Sequence, residues 1–269
     1  MPGSFAEHYG PWALIAGASE GTGRELARLI AAEGVNLILI ARREGPLAEL
    51  AQALRAEYGV ECLTASIDLA APDSFAKIKA AAADREIGLF VSNAGADPNG
   101  SHFLGKPLET WLELVRRNVM SAVECCHHFG GKMKERGRGG ILLMNSGAAY
   151  GGGAFLATYS ASKAFELCFA EGLWAELKPH GVDVLTLVMG ATDTPELRRL
   201  LGEKGLPVPP GTASAAEVAK MALAQLENGP VQNWGQAEDE AGFAPLSAAG
   251  RRARVVGMGE ASRAFFGES

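Results

Sequence analysis

WALIAGASEGTGRELARLIAAEGVNLILIARR, residues 12 to 43, is the stretch on which the reading of the fold turns. Trp12 to Gly17 is an apolar run of strand length. From Gly21 to Glu33 the apolar residues Leu26, Leu29 and Ile30 return at helical spacing, and Gly34 stops the helix. Val35 to Ala41 is apolar almost throughout, as a strand covered on both faces must be. Strand, helix and strand in so short a span imply a right-handed crossover and parallel pairing. Between the first strand and the helix lie Gly17, Gly21 and Gly23. Glycines there permit a tight turn and let the backbone approach a pyrophosphate, while the helix N-terminus offers free N–H groups and a positive dipole end. A nucleoside-triphosphate loop is excluded, because Gly23 is followed by Arg24 and Glu25 rather than by Lys and Ser or Thr.

The alternation continues outward from this stretch. Helices are expected over Glu44 to Tyr58, near Asp73 to Ala83, from about Leu108 to Glu135 and from about Ala157 to Leu177. Strands are expected in VECLTASI, in GLFVSNAG, from Ile141 to Asn145 and from Val182 to Met189. This pattern predicts an α/β protein: a doubly wound parallel sheet in a single domain over residues 1–269. Residues 191–213, with Thr, Pro and Gly around PELRRLLGEKG, read as a substrate lid, and Arg198, Arg199 and Lys204 as its solvated face. The tail from about 235 to 269, with a helix expected near Arg251 to Phe266, reads as an oligomer contact arm.

Composition narrows the function. The chain has 269 residues, 48% hydrophobic and 21% charged, with a net charge of −6 and basic residues bunched only at Arg251, Arg252 and Arg254. A nucleic-acid surface would need a concentrated positive field, so no nucleic-acid partner is expected. No signal segment and no bilayer-length apolar run is visible, giving the expectation of a cytoplasmic protein with no membrane partner. Cys62, Cys125, Cys126 and Cys168 lack CxxC spacing, and adjacent Cys125 and Cys126 diverge on a helix. They are expected as buried thiols, with no metal.

The end of the second strand bears on which dinucleotide binds. An NAD site would place an acidic side chain about twenty residues beyond the glycines. This chain has Ala41-Arg42-Arg43 there, two guanidiniums suited to a 2′-phosphate. Glu20 opposes that reading, since its carboxylate would repel the phosphate. NADP(H) is favoured, with NAD(H) as the alternative.

YSASK, Tyr159 to Lys163, sets a lysine one helical turn after a tyrosine. A free phenol has a pKa of ~10 and is a reluctant acid–base catalyst near neutrality. A nearby ammonium favours the phenolate, each unit being worth ~1.4 kcal/mol. Ser146 ends a predicted strand 13 residues before Tyr159, and Asn93 ends another, both at the rim where parallel sheets bind ligands.

GASEGTG, Asp68-Leu69, SNAG (Ser92 to Gly95), Asn118, Ser146 and YSASK stand in an order and spacing that together resemble the short-chain dehydrogenase/reductase family, single-domain type, over about residues 10 to 235. The resemblance implies a Rossmann-type sheet of about seven strands. It also implies a catalytic tetrad of Asn118, Ser146, Tyr159 and Lys163. Tyr159 would donate a proton to a carbonyl oxygen as hydride reaches its carbon, Ser146 would bond the same oxygen, Lys163 would grip the nicotinamide ribose, and Asn118 would anchor a relay water. Cofactor contacts would come from Gly17, Ser19, Glu20, Gly21, Thr22, Gly23, Arg42, Arg43, Asp68, Leu69, Asn93, Ala94, Gly95, Tyr159, Lys163, Gly190, Thr192 and Thr194. The family's proline after the sixth strand is replaced by Met189, which would loosen the lid hinge or reshape the pocket wall.

Ala148, Tyr150, Phe155, Met189 and Leu197 are the candidate pocket residues, pointing to an apolar carbonyl or secondary alcohol as substrate. By resemblance the chain would form a homodimer through the long helix bearing Asn118, or a homotetramer through a last strand in GPVQNWG. The competing reading is a non-catalytic nucleotide-binding sensor or scaffold on the same fold. A sensor would have no need of all four tetrad groups.

Overall fold

The computed structural model describes residues 4–97 and 100–234, together with 257, 260 and 263. The expectations for the remainder of 235–269 lie outside the described residues. In chain order the elements are α1 (Phe5–Tyr9), β1 (Trp12–Ala16), α2 (Gly21–Ala32), β2 (Asn36–Ala41), α3 (Glu44–Tyr58), β3 (Cys62–Ser66), α4 (Ser74–Ala82) and β4 (Ile87–Ser92). There follow α5 (Leu108–Val115), a π-helical turn (Arg116–Met120), α6 (Ser121–Arg136), β5 (Gly139–Ser146), α7 (Ala157–Leu177), β6 (Val182–Met189), β7 (Thr192–Asp193), α8 (Pro195–Glu203), β8 (Ala213–Ser214), α9 (Ala215–Ala224) and β9 (Val231–Trp234).

Seven strands form one sheet in the order β3-β2-β1-β4-β5-β6-β9, every pair parallel. The period-2 rule splits the core between its faces. Ala13, Ile15, Leu142, Met144, Leu185 and Leu187 pack on one side with Leu26, Ile30 and Val218. Leu14, Ile38, Phe90, Ile141, Leu143 and Val184 pack on the other with Phe129, Ala170 and Leu177. Covering on both faces is why these strands read as unbroken apolar runs rather than as alternations.

Chain order reverses between β1 and β4, so the sheet has its topological switch there. The Asn93 and Ala94 N–H groups both donate to the Ala16 carbonyl, at 3.0 and 2.9 Å, and the Asn93 side chain donates to the Gly17 carbonyl at 2.8 Å. These bonds tie the glycine turn to the end of β4 and fix the crevice.

Three features depart from expectation. The helix expected from Leu108 to Glu135 changes pitch in the π-turn at Asn118. Cys62, Cys125 and Cys126 are buried, but Cys168 is exposed on α7. At the opposite end of the sheet, α1 docks through a part-buried cluster that sequence reading did not anticipate. There Asp183 accepts from Tyr9 Oη at 2.8 Å and from Lys178 Nζ at 2.8 Å, and lies 3.0 Å from His8 Nε2. No helix among the described residues is long and apolar enough to cross a membrane.

Candidate active site

The glycine turn is built for close approach. Gly17 has φ +93°, and a Cβ there would stand 2.6 Å from the Ala94 nitrogen; a Cβ on Gly23 would overlap the Gly17 carbonyl oxygen. At the α2 N-terminus, Glu20 occupies the cap position without a side-chain cap bond. The first-turn N–H groups are therefore left without a capping side chain, at the positive end of the helix dipole. A turn with no room for side chains and an uncapped helix end together fit the pyrophosphate of a dinucleotide.

A cavity of about 810 Å³ opens at the C-terminal ends of the strands. Of the predicted positions, Gly17, Ser19, Glu20, Gly21, Thr22, Arg42, Arg43, Asp68, Leu69, Asn93, Ala94 and Gly95 line it. So do Ser146, Tyr159, Lys163, Met189, Gly190, Thr192 and Thr194. Gly23 does not, because it is packed beneath the turn. Asn118 is absent from the wall as well, being buried behind it, where its Nδ2 donates to Ser162 Oγ at 3.0 Å and to the Gly95 carbonyl at 3.3 Å. Its Oδ1 is buried without a hydrogen-bond partner among the described residues.

Four of the five expected substrate-pocket residues fall outside this wall, and only Met189 lines it. Tyr150 turns its hydroxyl onto Asn233 Oδ1 at 2.6 Å. Phe155 is buried against the His102 ring, 4.2 Å between centroids. Ala148 is buried in the short helical turn after β5, and Leu197 sits in the first turn of α8, whose end Thr194 Oγ1 caps. In the apolar run after Ser146, Ala148, Ala149 and Phe155 are buried.

Reactive groups meet where β5, β6 and α7 converge. Buried Asn145 is the joint: its Oδ1 accepts from the Ser146 N–H at 2.7 Å, and its Nδ2 donates to the Lys163 carbonyl at 3.1 Å and to Thr186 Oγ1 at 3.3 Å. A lone amide in the apolar strand GGILLMNS was the sequence signal for it. Lys163 is almost wholly buried, donating through Nζ to the Met144 carbonyl at 3.0 Å and to Glu166 Oε2 at 2.8 Å.

Charge at the nucleotide end is resolved differently from expectation. Glu20 and Arg43 pair at 2.6 Å, so the carboxylate is matched by a guanidinium rather than left free to repel an anion. Arg117, half-buried on the π-turn, also lines the cavity and was not anticipated. Burial holds its pKa below the usual arginine value, and repulsion from Arg42 adds to this. Arg199 lines the cavity too, clamped by Glu196 and Glu203, while Arg198 pairs with Asp193 at 2.6 Å.

Fold and site together define a Rossmann-type dinucleotide-binding protein with a serine, a tyrosine and a lysine on one cavity. Residues 11–204 match the family model for short chain dehydrogenases, and the chain belongs to that oxidoreductase family. It is 31% identical over 220 residues to a 7beta-hydroxysteroid dehydrogenase of Collinsella aerofaciens, covering 82% of this chain and 80% of the relative. A solved 7beta-hydroxysteroid dehydrogenase superposes with a TM-score of 0.81 at 28% identity, over 89% of this chain and 93% of that one. A short-chain dehydrogenase from Sphingobium yanoikuyae in complex with NADPH superposes at 0.75, with 28% identity and 92% of each chain covered.

Proposed function

We propose that the protein is an NADP(H)-dependent oxidoreductase interconverting a ketone and a secondary alcohol on a bulky apolar substrate, the steroid class included. One observation carries this reading. A single cavity of about 810 Å³ is lined both by the glycine turn with Arg42 and Arg117 and by Ser146, Tyr159 and Lys163. Resemblance to 7beta-hydroxysteroid dehydrogenases supports the substrate class, and the NADPH-bound neighbour supports the nucleotide.

When bound, the reduced nucleotide supplies the hydride. Gly17, Ser19, Gly21 and Thr22 hold its pyrophosphate, Arg42 and Arg117 hold the 2′-phosphate, and Lys163 holds the nicotinamide ribose. Ser146 donates a hydrogen bond to the substrate carbonyl oxygen, and Tyr159 gives the same oxygen its proton; in alcohol oxidation Tyr159 takes that proton back. The orphaned Asn118 Oδ1, buried behind Gly95, is the anchor for a water in the relay that restores the tyrosine's proton. Residues 191–213 close over the substrate as a lid, and Met189 forms its inner wall.

The test is loss of reduced-nicotinamide absorbance with NADPH and with NADH over a panel of ketones, steroids among them. Turnover that prefers NADPH and falls by about 10² or more in Tyr159→Phe is the expected result. A Tyr159→Phe enzyme as fast as the parent would overturn the acid role.

A further inference from the structure

Lys163 is not alone in its cavity wall. Three residues further along α7, Glu166 is 1% exposed and places Oε2 2.8 Å from the lysine Nζ. Both side chains are buried to within a few per cent, where a carboxylate needs a reason to be. The helix face concerned packs on apolar strands, and an aliphatic residue would fill the position at less cost. Glu166 does not line the cavity, so it cannot touch a ligand there directly.

We propose that Glu166 is a positioning residue that holds the charged head of Lys163 in the site, acting on nucleotide and substrate only through that lysine. An ammonium has three N–H donors. Two are committed away from ligand, to Glu166 Oε2 and to the Met144 carbonyl, which leaves one free. Gly95 lies beside the head and leaves room for it, since a Cβ there would stand 2.8 Å from Nζ. The third N–H is thereby given one direction, and the proposal rests on the reading that a nucleotide ribose receives it.

Among the described residues, Glu166 is the only carboxylate that acts on Lys163. The titratable groups that act on the pair are Tyr159 on the same helix and Cys126 on α6; β5 contributes only the Met144 carbonyl. Burial works against the lysine's charge, but Glu166, helped by Tyr159, outweighs it and holds Lys163 above the ordinary lysine value. Burial likewise raises Glu166, which Lys163 partly offsets. With the carboxylate removed, burial acts unopposed by it, and the lysine loses its proton at lower pH.

Calorimetric titration with NADPH at pH 7 and pH 9.5 tests this in the parent, Glu166→Gln and Glu166→Leu. Other charges of the cavity titrate alike in all three, so the comparison isolates the lysine. Between the two pH values the variants' Kd is expected to rise about five- to tenfold more than the parent's, the loss of a charge-assisted hydrogen bond. Variants weakened by the same factor at both pH values would reduce Glu166 to packing and overturn the inference alone. A parent that binds no NADPH at either pH would overturn the nucleotide reading as well. Should Glu166→Gln fail to fold, the Lys163→Met/Glu166→Leu double variant is expected to fold again, because no unpaired charge remains buried. A double variant that also stays unfolded would overturn the proposal.

Discussion

Arg42 and Arg117 lie close enough on the cavity to repel each other, with Asp68 among the charges that offset Arg117's discomfort. Neither forms an ion pair among the described residues, whereas Arg43 is held by Glu20. Two neighbouring guanidiniums with no ion-pair partner among the described residues suit an anion, and a 2′-phosphate meets that need with charge-assisted bonds. Arg117→Leu is therefore expected to weaken NADPH binding about tenfold while leaving NADH within about twofold, as one such bond is worth ~1.5 kcal/mol or more. Equal losses for both nucleotides in a titration would show that Arg117 does not read the phosphate. The arginines after β2 were legible in the sequence because their offset from the glycines is fixed by the fold. Arg117 was not, since only the π-turn shows which way residue 117 faces. Glu166 was hidden for a related reason: a glutamate on a helix is ordinarily a solvated residue, and its burial is a tertiary fact.

At the scale of elements, the long segments were readable and the short ones were not. Ala157–Leu177 and Val182–Met189 fall where the strand–helix alternation put them, because long elements leave few other ways to divide the chain. The five-residue α1 escaped notice although Ser4 and Glu7 form a capping box at its N-terminus. Its worth lies in docking: Tyr9 delivers its hydroxyl to Asp183 within the part-buried cluster at the base of β6. Tyr9→Phe is expected to cost about 1–2 kcal/mol in urea unfolding near neutral pH. The pH dependence has a definite sign. Burial, with Asp183 beside it, raises the Tyr9 phenol above its ordinary 10.0, so above that pH the unfolded chain releases the proton first. Stability contributed by this group is present below the unfolded value and falls as pH rises beyond it. Unfolding midpoints at pH 8 and pH 10.5 should fall less for Tyr9→Phe than for the parent. A parallel decline would remove Tyr9 as the titrating group.

For the whole molecule, the apolar surface is uneven. Leu108 and Leu112 on α5, Met120 on the π-turn and Phe165 on α7 are exposed. We expect this surface to pair two copies of the chain, burying residues that water otherwise solvates. Light scattering should give a dimer for the parent and a shift toward monomer for Leu112→Lys with Met120→Lys. A parent that scatters as a monomer at micromolar concentration would remove the expectation. The register of the sheet has an optical consequence. Ser146, Met189 and Trp234 stand side by side on β5, β6 and β9, which places an indole one strand beyond a wall of the cavity. Indole emission overlaps the absorption band of a reduced nicotinamide, so light absorbed by Trp234 should pass to a nicotinamide seated beside Met189. Occupancy of the cavity would then be readable without a label, as tryptophan emission dimming while nicotinamide emission brightens, and Trp234→Phe would leave the binding intact with that signal reduced.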